Sequence, residues 1–194
     1  MANVDNANGL SPVRYISGAP YNGATNMYAV PASDSAATYI GQMVRLAGDA
    51  ATHAPSGAIV PTVAAATTGQ PVIGVVVSIA DPVVDSLLYR AASTLRYVNV
   101  ADDPNLLFEV QCNGTLTTTM IGNVADASTM STGTAGTGRS LTELNIATVS
   151  ASGDGTEDFL IVGFSRRVDN EMGADAKVLV RLNNHALVDG TAGQ

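Results

Sequence analysis

The stretch Val72-Ile73-Gly74-Val75-Val76-Val77, set within Gln70 to Ile79, decides how this chain folds. All of its residues except Gly74 are β-branched and apolar. Such side chains are stiff about χ1 and pack well on a pleated surface. A short apolar run without polar alternation reads as a strand covered on both faces. The glycine inside it points to a bulge or tight curvature, as barrel walls require.

Working outward, the same signals recur. Before it, Asn26 to Pro31 and Ala58 to Ala64 read as short strands, and Tyr39 to Ala47 as a strand ended by Gly48-Asp49. After it comes an irregular connection, Asp81 to Ala92, carrying Val83, Val84, Leu87, Leu88 and Tyr89. Arg96 to Ala101 and Leu106 to Cys112 are expected to form a hairpin across Asp102-Asp103-Pro104-Asn105, where Pro104 presets φ and the acidic side chains cap the turn. Residues 113–158 are rich in Gly, Ser and Thr, with a short helix expected over Thr118 to Ala127 and a strand over Leu141 to Val149. Asp158 to Arg167 and Ala176 to Asn183 alternate as strands. No long helix and no fixed-period repeat is visible, so the fold class is all-β, a compact barrel or sandwich with jelly-roll-like closure among its forms.

The first 24 residues differ in texture. Asn8-Gly9, Ser11-Pro12 and Gly18-Ala-Pro-Tyr-Asn-Gly23 are turn and extended-chain signals. They are read as an extended N-terminal arm, 1–24, ahead of a β-rich domain, 25–194, with a loop-rich insertion around 113–158. Tyr15, Ile16 and Tyr21 are apolar anchors that a solvated tail has little reason to carry; they serve either a partner or the arm's own domain.

Composition narrows function. The 194 residues can bury a substantial core, and Cys112, the only cysteine, reads as a small core hydrophobe that rules out an internal disulfide. Charged residues are 13% of the chain, and Lys177 is the only lysine beside eight arginines. Sparse charge with arginine retained is the bias of buried interfaces, although codon usage gives the same pattern. A net charge of −8 opposes direct contact with nucleic acid. Neither a secretory signal nor a long apolar span is present, so synthesis and retention in a cytosol-like compartment are expected, without membrane contact.

Catalytic patterns are thin. Gly133-Thr-Ala-Gly-Thr-Gly138-Arg139-Ser140 has the form of a phosphate-binding loop, but lacks its lysine and the strand-to-helix context that converges N–H groups on an anion. His53 and His185 are expected at the surface, and Asp102 with Asp103, or Asp81 with Asp85, read as turn caps rather than calcium ligands. No cofactor, metal or enzymatic activity is expected. Arg166-Arg167-Val168-Asp169-Asn170-Glu171 places opposite charges together, as a self-satisfied turn or an intersubunit ion-pair patch.

Several pieces carry a resemblance: Val4-Asp-Asn6-Ala-Asn-Gly9 with Pro12-Val13-Arg14, Tyr28-Ala-Val-Pro31, Gly74-Val-Val-Val77, Ala101-Asp-Asp-Pro104 with Phe108-Glu-Val-Gln111, Thr137-Gly-Arg-Ser140, and Asp169-Asn-Glu171 with Leu179-Val-Arg-Leu-Asn-Asn-His185. Together they resemble the head decoration, or cement, proteins of tailed bacteriophages. The resemblance implies a β-rich protein, often trimeric, clamped on the outer surface of the virion capsid, binding the major capsid protein and reinforcing its shell after synthesis in the host cytoplasm. Arg14, Tyr15, Ile16, Tyr21, Arg166, Arg167, Asp169 and Glu171 are the expected contacts with capsid or sister subunits. The rival expectation is a carbohydrate-binding or host-adhesion module, which zero tryptophan disfavours.

Overall fold

The computed structural model describes residues 3–81 and 86–188, so Val83, Val84 and Asp85 lie outside the described residues. Its strands are β1 (Ser11–Tyr15), β2 (Asn26–Val30), β3 (Met43–Thr52), β4 (Ile59–Ala65), β5 (Gly74–Ile79), β6 (Arg96–Ala101), β7 (Leu106–Gln111), β8 (Val124–Ala125), β9 (Ala127–Ser128), β10 (Gly133–Thr134), β11 (Arg139–Ser140), β12 (Glu143–Leu144), β13 (Phe159–Phe164) and β14 (Lys177–Leu182). The fold is all-β, a closed barrel in the order β2-β4-β3-β5-β6 backed by a sheet in the order β1-β7-β14-β13-β8. All barrel pairs are antiparallel except β2 with β4, where Ala29 lies beside Thr62.

The apolar run explains how barrel and sheet join. Tyr28, Val30, Val44, Val63, Ile73, Val76, Val98 and Val100 fill the barrel, whose narrow bore suits small branched side chains. Met43, Val72, Val75 and Ala101 point the other way, into a second core with Phe108, Val110, Phe159, Ile161, Val178 and Val180 of the sheet. The segment is thus covered on both faces from Val72 to Val76, and the strands bulge between Val76 and Ser78. Gly74 is required by close approach: a Cβ there would lie 2.3 Å from the Ala101 carbonyl oxygen.

Four expectations are corrected. Arg96–Ala101 and Leu106–Gln111 are strands but do not form a hairpin; residues 102–105 carry the chain from barrel to sheet. The turn chemistry is nonetheless local, since Asn105 N donates to Asp103 Oδ1 at 2.7 Å, whereas Asp102 is held by Asn26 Nδ2 and by the Tyr28 hydroxyl at 2.7 Å. β3 does not end at Gly48-Asp49 but continues through them to Thr52, absorbing the break as a register shift between Leu46 and Ala50. Thr118 to Ala127 is not a helix beyond a 3-10 turn, Thr118–Met120, and then enters β8 and β9, because threonines and Gly122 disfavour propagation. Leu141 to Val149 is reduced to the two-residue β12 and a second 3-10 turn, Ile146–Thr148.

The segment expected as an arm is extended in backbone, but its described residues lie on their own domain. β1 pairs with β7, the buried Leu10 donates its N–H to the Gly41 carbonyl at 2.9 Å, and Gln111 brackets the strand by accepting from Asn6 N and donating to Val4 O. Asn3 Nδ2 donates to the carbonyls of Glu171 and Ala174.

Arg90 is the largest fully buried side chain. Its guanidinium donates to the carbonyls of Thr94, Pro31, Asp34 and Ala36, tying the loop after β2 to the loop before β6. Arg90→Ala and Arg90→Lys should each destabilise the protein, the alanine by about 3–5 kcal/mol, because the Thr94 and Ala36 carbonyls lose their donor and those of Pro31 and Asp34 keep only a backbone one. Urea unfolding of both variants checks this.

Asp158 is buried, and burial pushes its carboxyl up to about 6 from 3.8 although Ala127 N donates to it. The folded state therefore holds this proton more tightly than the unfolded chain. That contribution is fully present below pH 3.8 and is lost as pH rises through about 6. His185, lowered by burial, acts in the opposite direction by losing stability as pH falls. The difference between wild type and Asp158→Asn isolates the carboxyl: wild type should lose up to about 3 kcal/mol relative to the variant between pH 4 and 7.5, read from unfolding curves.

Candidate docking face

Strand alternation gives the sheet an inner and an outer face. On β14, Val178, Val180 and Leu182 enter the core, leaving Lys177, Leu179 and Arg181 outside; on β7, Phe108 and Val110 go in and Glu109 stays out. A register shift between Ile161 and Gly163 of β13 turns Val162 outward, 41% exposed. Val162, Phe164, Leu179 and Ile121 form an apolar groove of about 670 Å³, with Arg14 from β1 and Arg166 from beyond β13 lining it as well. Both arginines are exposed, and among the described residues neither guanidinium has a hydrogen-bond or ion-pair partner. A polar basin of about 280 Å³ adjoins the groove, lined by Glu109, Arg139, Arg167 and Lys177 and by the strap around Asn6 to Ser11.

The expected contact residues are divided by this geometry. Arg14 and Arg166, far apart in sequence, meet at one groove. Tyr15 and Tyr21 pack against the core instead, and burial raises the Tyr21 phenol above its usual range. Ile16 sits on a turn, 50% exposed, its N–H donating to the Asn105 carbonyl. Arg167 is satisfied within the molecule: Nε and Nη2 donate to Asp169, and Nη1 donates to Glu109 at 3.2 Å. This pairing holds Asp169 below the ordinary carboxylate range. Glu171 receives Asn3 through its backbone.

Both histidines are buried rather than superficial, His53 at 5% and His185 at 2% exposure. His53 Nδ1 meets Ser56 Oγ at 2.7 Å, and Nε2 contacts the Asp81 carboxylate. The Tyr97 ring lies edge-on to the imidazole at 4.5 Å. Serine, histidine and aspartate are thus aligned, an arrangement that spacing alone conceals because Asp81 arrives from the end of another strand. The nearby N–H groups of Ser56 and Gly57 are consumed by the His53 carbonyl, and Ala58 N donates to Ser56 Oγ, so no oxyanion donors converge there. The trio closes the tip of the β3–β4 hairpin.

The phosphate-loop lookalike is a β10–β11 hairpin whose Thr137 and Gly138 N–H groups turn inward to the Thr134 carbonyl. Cys112 is buried and its thiol pushed up to about 12, mainly by burial, which makes it a poor nucleophile. Comparison of the chain with protein-family models, curated proteins and solved structures finds no match in any of the three.

Because Arg14 and Arg166 hold nothing within the fold, reversing both charges should leave stability within about 0.5 kcal/mol of wild type. Thermal melting of the Arg14→Glu/Arg166→Glu variant checks that these side chains are free for intermolecular use.

Proposed function

We propose that this chain is a structural protein that acts by docking, as a decoration protein on the outer surface of a tailed-phage capsid. In this reading it binds the major capsid protein and stabilises its shell. The observation that carries the docking part is the apolar groove with its two unpartnered arginines. An arginine beside apolar surface suits a partner that offers an apolar side chain flanked by carboxylates, since guanidinium is weakly hydrated and accepts both stacking and forked contacts. Sparse charge and a single lysine support the same reading, and the net charge of −8 favours the outside of a shell over its DNA-facing interior. The choice of a phage capsid rests on the resemblance of the sequence to decoration proteins. A homotrimer is proposed with it, because weak contacts become strong when several sites engage together.

The adhesion alternative lacks an open aromatic platform at the most evident stacked pair. Tyr39 stacks on Tyr89 at 5.0 Å between centroids, and the backbone of Gly133 lies against the Tyr39 ring.

Co-sedimentation with capsid shells assembled without this protein tests the reading. Wild type should pellet with the shells, and Arg14→Glu/Arg166→Glu should bind at least about tenfold more weakly, with a steep salt dependence for wild type only. Undiminished binding of the variant removes the groove from the contact. Failure of wild type to bind removes the capsid. Truncation of 1–24 is a poorer test, because it would strip β1 from the sheet and Leu10 from the core.

A further inference from the structure

The polar basin beside the groove gathers charge that the fold does not use. Arg139 of β11, Arg167 and Lys177 of β14 line it together with Glu109. Arg167 is already committed to Glu109 and Asp169. The guanidinium of Arg139 and the ammonium of Lys177 form no hydrogen bond or ion pair with any described residue. Arg139 and Lys177 are thus the basin's two cations without an ion-pair partner, although Asp169 and Asp175 line a second depression with Lys177, in a chain whose net charge is −8.

Basin and groove occupy neighbouring positions on the sheet, although they share no lining residue. Arg166 and Arg167 are consecutive and line one depression each. Glu109, at the basin, is in register with Leu179, at the groove. Lys177 and Leu179 stand on the same face of β14 two residues apart, about 7 Å along the strand.

The geometry points to the basin as a receptor for one carboxylate of a polypeptide partner, an aspartate or glutamate side chain seated on Arg139 and Lys177. The spacing sets an apolar residue of the same segment, two or three positions away in an extended chain, on the groove. Two cations without internal partners in one basin match the two oxygens of a single carboxylate. A phosphate dianion or a nucleic-acid strand would bring further negative charge against Glu109 and against the acidic body of the protein. This inference deepens the docking reading and rests on it only for the identity of the partner.

The test uses the full chain, isotopically labelled, titrated with the capped peptide Val-Leu-Gly-Glu and with its Gln counterpart while the Arg139 Nε–H and Lys177 signals are followed by NMR. The Glu peptide should shift both signals and bind at least about fivefold more tightly than the Gln peptide. Arg139→Gln and Lys177→Gln should each abolish that preference while leaving the melting temperature unchanged. Equal binding of the two peptides overturns the proposal. So does saturation of the same signals by inorganic phosphate at lower concentration than the Glu peptide. If capsid shells fail to bind wild type while the Glu preference persists, the capsid reading falls and the carboxylate site stands; shell binding without that preference gives the reverse.

Discussion

The wall formed by Met43 and Val44 at the start of β3 and by Val72 to Val76 has no solvent face. Val44, Ile73 and Val76 fill the barrel, while Met43, Val72 and Val75, their immediate neighbours, enter the core beneath the sheet. Each valine or isoleucine withdrawn from water in this way contributes about 1.5–3 kcal/mol, so a barrel without its backing sheet would expose a costly apolar surface. The two layers therefore stabilise one another. Within the barrel, Gly74 marks how closely β5 and β6 meet, since even a methyl group would collide with the Ala101 carbonyl.

One face of the sheet is consumed by that packing, and the other lies outside the core. It carries an apolar groove, two arginines with no internal partner, and a basin lined by two further cations without an ion-pair partner. The N-terminal strap brings Arg14, Asn6 and Ser11 to this surface by lying along the sheet, held by Leu10, Gln111 and Asn3. What could have been a free tail is thereby a structural part of the face. At the opposite extreme, Arg90 spends its whole guanidinium on backbone carbonyls and Arg167 pairs with two carboxylates. Arginines of one sequence thus divide into those that hold the fold and those available to a partner.

Local signals were readable where burial follows a short period. The segments around β2, β4, β5, β13 and β14 could be assigned from β-branched runs and alternation, and Cys112 could be assigned to the core. The hairpin expected of β6 and β7 was wrong, because the turn at Asp103 has the required chemistry in either arrangement. Which strand pairs with which depends on the core each enters: Val98 and Val100 belong to the barrel, Phe108 and Val110 to the layer below. The histidines were misplaced for a similar reason. Their polar neighbours suggest exposure, but His53 is covered by Tyr97 and Asp81, which lie far along the chain.

By itself the sequence determined that this is an all-β chain with a barrel-like wall and one core cysteine. Those features depend on side-chain type and on periodicity within a few residues, which any single strand displays. Only the tertiary structure decided that Arg14 and Arg166 share a groove, that Arg167 is spent internally, and that Arg139 and Lys177 are not. Whether a charge is used up or left available depends on partners distant along the chain, and pairing across a sheet brings them together.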